Sequence, residues 1–212
     1  MSNDFIKAMK YRFACKSFDA NKKISTEDKN VILEAGLLSP SSFGLEPTRL
    51  IISENAQTKQ KLREICWGQK QLEESALAVI LSVKIEDMKS GSSYVSSQFE
   101  RNVSGDAAKL KFYLETYAGF QKTYCNDKNA LYAWCAHQAY LMAGNMMSVA
   151  AFIGIDSCAI ESFEKSKMDE FLAQEFGVKG QETALVLTFG YRASEPKYKS
   201  NRISLNDFVK AI

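Results

Sequence analysis

The sequence predicts an α+β fold in which residues 1–212 form one domain with a small central sheet flanked by helices. Three observations lead to this prediction. Short apolar segments typical of strands are separated by longer stretches with helical periodicity. The segment from Asn126 to Asp156 is apolar on nearly every face, as expected of a helix at the centre of a domain. The chain has 212 residues, of which 46% are apolar, enough for one compact domain with a core.

Capping residues and prolines set the boundaries of the predicted elements. Ser25 is a good N-cap with Asp28 three residues later, and Pro40 disfavours continuation of the helix that begins there. Asp127 and Gly154 are typical of the two ends of the central helix. The predicted helices cover residues 3–13, 26–38, 58–66, 107–124, 127–153 and 165–176. The predicted strands cover residues 50–52, 76–83, 157–160 and 183–191.

The central helix has a wider apolar surface than one domain of this size usually needs. His137, Gln138 and Asn145 lie inside it, so its apolar run is too short to span a membrane. The small residues Ala143 and Gly144 would let a neighbouring backbone approach closely. Two interpretations stay open at this point. The helix is either the buried core of a monomer, or part of its surface faces a second subunit.

Two segments differ in composition from the rest of the domain. Residues 86–106 are polar and rich in serine and glycine, which predicts a mobile excursion before the aromatic helix at 107–124. That helix is either a core element or a lid over a ligand. The tail at 195–212 is basic at first and then apolar at intervals, so we expect it to reach onto a partner. The aromatic residues of the helix are Phe112, Tyr113, Tyr117, Phe120 and Tyr124.

Composition excludes several classes of function. The 27 Lys and Arg residues against 25 Asp and Glu residues leave a net charge of +2, which is no argument for nucleic acid or an anionic membrane. The N-terminus has neither a basic region nor an apolar region of a secretion signal. The five cysteines are widely spaced without a CxxC pair, so we expect reduced thiols, a cytoplasmic location and no metal site.

The chain has a single histidine, His137, and this limits the chemistry that its own side chains can perform. A catalytic triad, a Cys–His pair or a multi-histidine metal site would all need that residue. Its place within the central helix predicts a buried core histidine instead. An enzyme with this sequence would therefore borrow its reactive group from a cofactor. Arg12 and Lys16 are candidates for an anion site, although cations at a helix C-terminus also complement the helix dipole.

Six separated motifs, in matching order from about residue 5 to residue 205, resemble one family. They are Arg12-Phe-Ala-Cys-Lys16-Ser-Phe18-Asp19, Ser39-Pro40-Ser41-Ser42 with Glu46-Pro47, Trp67-Gly68-Gln69-Lys70-Gln71, Gln138-Ala-Tyr140-Leu141 with Gly144-Asn145, Gly154-Ile-Asp156 with Ile160-Glu161-Ser162-Phe163, and Lys199-Ser-Asn-Arg202. With these motifs the chain resembles the FMN-dependent nitroreductases of the oxygen-insensitive NAD(P)H type. Each motif is weak alone, and the six together make the resemblance specific.

The resemblance implies a nitroreductase-like fold with a mainly antiparallel sheet and an intertwined homodimer. The two central helices would pack together, and the tail at 195–212 would wrap the other subunit. Two FMN sites would lie at the interface, with NADH or NADPH as electron donor. The implied reaction is ping-pong hydride transfer: the nicotinamide reduces the flavin and leaves, and a nitroaromatic or quinone is then reduced in the same place. One open site for two flat substrates predicts loose specificity.

The resemblance also implies roles for individual residues around the flavin. Arg12, Lys199 and Arg202 match the phosphate ligands, since a phosphate dianion calls for fixed cations. Lys16 matches the position beside flavin N1 and the C2 oxygen, where an ammonium stabilises the negative charge of the reduced ring. Gln71 would hydrogen-bond the pyrimidine edge. The predicted cofactor-binding set also contains Phe13, Ala14 and Gly68.

The remaining implied site residues come from three other segments. The backbone N–H groups of Glu161 and Ser162 match those that approach flavin N5 and O4. Phe120 is the best-aligned residue for the lid of the substrate cleft, within the excursion at 86–124. The segment that the other subunit would place beside the ring consists of Pro40, Ser41 and Ser42.

Several residues depart from the family pattern, and the departures keep a second function open. Ala14 replaces a common serine, Gly68 an asparagine, and Ser162 a glycine. Together they remove polar contacts worth roughly 0.5–1.5 kcal/mol each, which predicts weaker FMN binding. The alternative is a member that binds flavin weakly or not at all and serves as a binding or regulatory protein. The gap before Arg202 is one residue longer than usual, so Lys197 or Ser200 could replace Lys199.

Overall fold

The computed structural model describes residues 2–198 and 200–212 of the chain. A single 3₁₀ turn spans Ser42–Gly44. The helices are α1 (Ser2–Tyr11), α2 (Thr26–Leu37), α3 (Ala56–Ile65), α4 (Lys70–Glu74), α5 (Ser93–Val103), α6 (Ala107–Tyr124), α7 (Lys128–Phe152), α8 (Lys165–Phe176) and α9 (Leu205–Phe208). The strands are β1 (Thr48–Ser53), β2 (Leu77–Lys84), β3 (Asp156–Ile160) and β4 (Gln181–Gly190).

The four strands form one antiparallel sheet in the order β1-β2-β4-β3. Ile51 pairs with Ile80, Leu77 pairs with Phe189, and Asp156 pairs with Gly190. Strands β2 and β4 are central and almost completely buried, which accounts for their nearly continuous apolar sequences. The structure confirms the predicted α+β architecture with a small antiparallel sheet between helices.

The sheet separates two apolar cores, and strand alternation decides which residues enter each one. On β2, Val79 and Leu81 face a large core that includes α7, while Ile80 faces a smaller core. The smaller core is closed by α3 and α8 through Leu62 and Leu172. Helices therefore cover both faces of the sheet, and α7 lies against the larger core. None of the helices in the described ranges is long and apolar enough to cross a membrane.

Both predicted N-caps are present, Ser25 at α2 and Asp127 at α7. The side-chain oxygen of Ser25 accepts a hydrogen bond from the N–H of Asp28 at 3.0 Å. The carboxylate of Asp127 accepts one from the N–H of Ala130 at 2.8 Å. Gly154 follows the end of α7 with φ of +81°, a conformation that glycine adopts without strain.

Helix α7 is not buried on all sides, and this corrects the prediction made from its composition. Residues at helical spacing stay exposed along one side of it within the protomer. His137 belongs to this exposed side, so the prediction of a buried core histidine was wrong. Sequence alone could not show it, because apolar residues lie on the exposed face as well. The exposed stripe consists of Ala133, His137, Tyr140, Leu141, Gly144, Asn145 and Phe152.

The segment at 86–106 contains helix α5, which the sequence analysis did not predict. Val95, Phe99 and Val103 repeat every four residues and are buried, and the first two belong to the larger core. The polar residues between them conceal this spacing in the sequence. Tyr117 of α6 is fully buried and donates a hydrogen bond to the carbonyl oxygen of Met88 at 2.6 Å. Residues 86–124 are therefore packed onto the domain.

A buried ion pair holds the N-terminal segment against the end of the sheet. Asp156 Oδ1 lies 2.6 Å from Arg192 Nη2, and the second carboxylate oxygen accepts from Arg192 Nε at 3.0 Å. The two side chains are only 5% and 9% exposed. The guanidinium also stacks on Tyr11, 3.8 Å from the ring centroid, and on Phe13. This arrangement fixes the turn between α1 and the following segment on β3 and β4.

We predict that Asp156→Ala lowers the free energy of unfolding by about 3 kcal/mol, because it leaves the buried Arg192 guanidinium with only the exposed Glu195 carboxylate, 3.1 Å from Arg192 Nη1. Urea denaturation followed by circular dichroism measures this change. Glu86→Ala is the control, since its ion pair with Lys89 is more than half exposed and is worth about 1 kcal/mol or less. Equal losses in the two variants would contradict the role given to the buried pair.

Candidate active site

Strand β3 has one edge that is only partly covered, and this edge organises the candidate site. The N–H of Cys15 donates to the carbonyl of Ser157 at 3.0 Å, so the backbone of Ser157 faces residues 13–15 instead of β4. Backbone groups of successive strand residues point in opposite directions, so Ala159 and Glu161 share the orientation of Ser157. Among the described residues, the backbone N–H groups of Glu161 and Ser162 donate no hydrogen bond. Two adjacent donors are thus left available in the loop that directly follows β3.

Lys16 places a positive charge beside this edge. The chain leaves α1, pairs with β3 at Ala14, and brings Lys16 Nζ to 3.4 Å from Cys158 Sγ. Cys158 is completely buried, while the lysine side chain is exposed. Lys16 and Glu161 are 145 residues apart in sequence, yet both are anchored on the same short strand. The structure therefore places the predicted lysine against β3 and the predicted backbone donors in the loop that follows this strand.

A chain of side-chain hydrogen bonds connects Gln71, a third predicted residue, to the loop at residues 161–162. We call this loop the donor loop, after its two unpaired N–H groups. Gln71 is 4% exposed, and its Nε2 donates to Gln69 Oε1 at 2.7 Å. Gln69 Nε2 in turn donates to the carbonyl oxygen of Ser162 at 3.2 Å. Gly68, immediately before Gln69, has φ of +74° and continues a left-handed turn that starts at Trp67. Gln69 was not among the predicted site residues, although it lies within one of the six motifs.

The exposed side of α7 contributes a second hold on the donor loop. Tyr140 Oη donates to Glu161 Oε1 at 2.7 Å. Burial raises the pKa of the Tyr140 hydroxyl, and the bond to the Glu161 carboxylate raises it further, so the group stays a donor at neutral pH. His137 lies one turn away and lines the same 430 Å³ cavity as both residues. Tyr140 was likewise missed, and its place in a motif is the only signal for it in the sequence.

Two arginines near the N-terminal segment have guanidinium groups without an acidic partner in the described ranges. Arg12 makes no side-chain hydrogen bond or ion pair there, and Arg202 donates only to the carbonyl of Asn201 at 2.8 Å. Arg202 lines a cavity of about 570 Å³ together with Lys10 and Phe13. Phe13 also lines a neighbouring cavity of about 360 Å³, which includes Ala14, Lys16 and Lys197. Lys199 lies outside the described residues.

The predicted segment Pro40–Ser42 is placed elsewhere in the protomer. The N–H of Ser42 donates to Gln138 Oε1 at 2.9 Å, and the Ser41 hydroxyl accepts from the N–H of Glu46 at 3.0 Å. These contacts attach the segment to α7 and to its own turn. It borders a small cavity of about 60 Å³ that does not include Lys16 or Glu161. Within one protomer, this segment and the open edge of β3 are separate.

Phe120 packs within a cluster of aromatic rings on the larger core. Its ring centroid lies 5.2 Å from that of Phe43, 5.3 Å from Tyr124 and 5.7 Å from Trp134. The side chain is partly buried, so the aromatic stripe of α6 is a core element at this position. Phe43 has φ of +57° in the turn that follows Ser42, which links the aromatic cluster to the Pro40–Ser42 segment.

Comparison with known proteins assigns the chain to a family. The model of the nitroreductase family matches residues 9–191. The chain belongs to the nitroreductase family. A Staphylococcus epidermidis protein with the provisional name NAD(P)H nitroreductase is 36% identical over 100% of this chain and 98% of its own. The resemblance stated from the six motifs is thereby confirmed.

Solved structures of other family members confirm the nitroreductase-like fold. A Bacillus subtilis nitroreductase structure covers 100% of both chains with a TM-score of 0.83 at 18% identity. A structure from Exiguobacterium sibiricum, described as a nitroreductase in complex with FMN, has a TM-score of 0.75 and 23% identity. It covers 98% of this chain and 97% of its own.

The cysteines nearest to the site are structural. Cys15 is 1% exposed, and burial raises the pKa of its thiol to about 11. Burial likewise raises the pKa of Cys66 and of Cys135 to about 12. A thiol that is buried and protonated is a poor nucleophile. Among the described residues, no three His, Cys, Asp or Glu side chains are grouped as a metal ion would require.

We predict that the native protein reacts slowly with a thiol reagent such as 5,5′-dithiobis(2-nitrobenzoate) at pH 8. All five cysteines are buried, and raised pKa values keep Cys15, Cys66 and Cys135 protonated well above that pH. The absorbance at equilibrium in guanidinium chloride should report all five thiols at once. A Cys15 thiol that reacts in the native state as fast as a small free thiol would show that the site segment opens.

Proposed function

We propose that the protein is an FMN-dependent NAD(P)H oxidoreductase that reduces flat, electron-poor acceptors such as nitroaromatics and quinones. The observation that carries this proposal is the open edge of β3. Two adjacent backbone donors, at Glu161 and Ser162, directly follow β3, and the Lys16 ammonium contacts Cys158 of that strand. A planar ring with acceptor atoms along one edge and negative charge when reduced fits this donor set. The nitroreductase family and the FMN complex of a fold relative support the choice of flavin.

Cations at the other end of the site support the binding of a phosphate. The guanidinium groups of Arg12 and Arg202 have no acidic partner in the described part of the chain, and planar guanidinium forks suit phosphate oxygens. In contrast, Arg192 is paired with both Asp156 and Glu195, so we do not assign it to the phosphate. The 570 and 360 Å³ cavities meet at Phe13, next to Arg12 in sequence. We assign Arg12 and Arg202 to the phosphate.

The residues of the chain would position and polarise the flavin ring, while hydride transfer is the chemistry of the cofactor. FMN, when bound, supplies reversible two-electron transfer between a nicotinamide and an aromatic acceptor. Lys16 stabilises negative charge at the pyrimidine side of the ring, and Gln71 hydrogen-bonds that edge. The N–H groups of Glu161 and Ser162 orient the opposite edge. No side chain is needed as a general base, and the exposed position of His137 does not change this.

We also propose that two copies of the chain form a homodimer through the exposed stripe of α7. Tyr140, Leu141 and Phe152 are 42%, 53% and 52% exposed along this stripe, which is more apolar surface than an isolated helix face usually leaves in water. The apolar side chains of the tail, such as Leu205 and Phe208, are also exposed. A second subunit would cover both, and its Pro40–Ser42 segment would complete each flavin site. Phe120 on α6 would then border the acceptor cleft within the 86–124 region.

The first experiment is the visible spectrum of the purified protein, followed by anaerobic addition of NADH and of NADPH. A flavin spectrum that bleaches supports the proposal. A protein that stays colourless with excess FMN contradicts it and favours the non-catalytic binding member, in which Ala14, Gly68 and Ser162 have weakened the site.

We predict that Arg12→Ala abolishes FMN retention while the dimer persists, because the phosphate loses one of the two arginines assigned to it. Lys16→Ala should retain part of the FMN but lower its midpoint potential and slow its reduction by NADH, since the reduced ring loses a stabilising charge. Fluorescence titration with FMN and a spectroelectrochemical titration measure the two effects. Lys61→Ala, a 64% exposed lysine on α3, is the control. Unchanged affinity in Arg12→Ala would show that the phosphate site is misplaced.

We predict that Gly144→Arg gives a folded monomer that does not retain FMN. A Cβ at Gly144 would meet no atom within 4 Å in the protomer, so folding tolerates the side chain, but a second α7 packed there would not. Gly119→Arg on α6 is a matched control, because its Cβ also meets nothing within 4 Å. Sedimentation velocity measures the mass of each variant. A dimeric Gly144→Arg protein would place the interface on another surface.

A further inference from the structure

The side chain of Gln69 connects two segments that are far apart in the chain. It accepts a hydrogen bond from Gln71 Nε2 at 2.7 Å and donates one to the Ser162 carbonyl at 3.2 Å. The second bond spans 93 residues and joins the start of α4 to the loop after β3. Each end of this connection lies next to a group that the proposed function places against the flavin ring.

The direction of these two hydrogen bonds is fixed by chemistry. The Ser162 carbonyl can only accept, so the Gln69 amide nitrogen must face it. The Gln69 carbonyl oxygen must then face Gln71, whose amide nitrogen is the donor. This leaves one N–H and the carbonyl oxygen of the Gln71 side chain for a ligand, while Ser162 keeps its backbone N–H. Replacement by glutamate would therefore preserve one bond and remove the other.

Gln69 is held in place by contacts that do not use its side chain. Its backbone N–H donates to the Cys66 carbonyl at 3.2 Å, and Arg63 Nε donates to the carbonyl of Gly68 at 3.2 Å. It occupies the N-cap of α4, yet its side chain makes no capping bond there. The Gln69 side chain therefore bonds to the distant Ser162 carbonyl and not to the N-terminus of its own helix.

The loop at 161–164 has two further holds, and neither involves the backbone donors. Tyr140 binds the Glu161 carboxylate at 2.7 Å, and the N–H of Glu164 donates to the carbonyl of Ile65 at 3.1 Å. Within the loop, the N–H of Phe163 donates to the carbonyl of Glu161 at 3.0 Å, and among the described residues only Gln69 donates to the carbonyl of Ser162. That bond orients the peptide plane that follows Ser162, one residue from the two unpaired N–H groups.

We propose that Gln69 is a positioning residue that holds Gln71 and the donor loop 161–162 in one fixed arrangement around the flavin ring. The proposal rests on the proposed function, and it adds a physical link between the two edges of the ring. Through Gln69, a shift of the pyrimidine-edge ligand is transmitted to the donors at the opposite edge. The ring is thereby held at both edges by one hydrogen-bonded unit.

The test uses Gln69→Leu, which removes both bonds, and Gln69→Glu, which can still accept from Gln71 but cannot donate to Ser162. Both variants should show faster amide hydrogen exchange over residues 160–164 in the flavin-free protein. Both should bind FMN about tenfold more weakly, the effect of losing one net hydrogen bond. The midpoint potential of the bound FMN should move toward that of free FMN in both variants.

Gln60→Leu and Gln60→Glu are matched controls. Gln60 is exposed on α3, and its side chain makes no hydrogen bond among the described residues. Exchange, affinity and potential should stay at wild-type values in these two. Unchanged exchange over 160–164 in both Gln69 variants overturns the inference, because the loop is then held without Gln69. Faster exchange with wild-type FMN affinity and potential also overturns it, because the loop then moves without consequence for the ring.

The wild-type titration separates this inference from the proposed function. A wild-type protein that binds no FMN at excess cofactor ends the proposed function and the positioning role together. If the wild-type protein binds FMN and the Gln69 variants match its FMN affinity and midpoint potential, only the positioning role is contradicted.

Discussion

The pairing of β3 on both of its edges is the constraint on which the site depends. On one edge, β3 is hydrogen-bonded to β4 along its whole length. On the other, it pairs with the N-terminal segment only as far as Ala14 and Ser157. The covering segment stops there, and the unpaired backbone donors of Glu161 and Ser162 lie in the loop that directly follows the strand. The ion pair between Asp156 and Arg192 secures this geometry at the start of the strand.

The burial of the sheet on both faces has a second consequence for the position of α7. Helices α3 and α8 close one core, and α7 closes the other, so the helix has one side against the sheet and another side exposed. The exposed stripe also includes Tyr140, which reaches the donor loop. The same helix thus supports the larger core from one side and the candidate site from another. This arrangement explains why a helix so apolar in sequence carries polar contacts at only a few positions.

The sequence was sufficient for the main elements because their signals are local. Capping by Ser25 and Asp127, the apolar run of β2 and the glycine after α7 each depend on neighbouring residues only. Helix α5 was missed because polar residues conceal its three buried positions. The exposure of His137 was missed because an apolar helix gives no indication of which side lacks a neighbour.

The candidate site was predictable only in part, because its residues come from distant segments. Lys16, Glu161 and Gln71 were assigned to the site through motifs, since no periodicity relates residues that are 55 or more positions apart. Gln69 and Tyr140 contribute through their side-chain bonds, whose partners a single sequence does not reveal. In the proposed dimer, Pro40–Ser42 would reach the open edge of β3 only from a second subunit, and one chain does not show this relation.

The bond between Tyr140 and Glu161 ties the donor loop to the stripe through which the proposed dimer forms. If the second subunit covers that stripe, dilution below the dissociation constant of the dimer would expose Tyr140 to water and free the loop. By mass action, subunit association and cofactor retention would then be linked equilibria. A weakly associating variant would release its flavin on dilution, and added flavin would in turn favour assembly. Association of the subunits would thus set how much cofactor is retained, as well as forming its binding site.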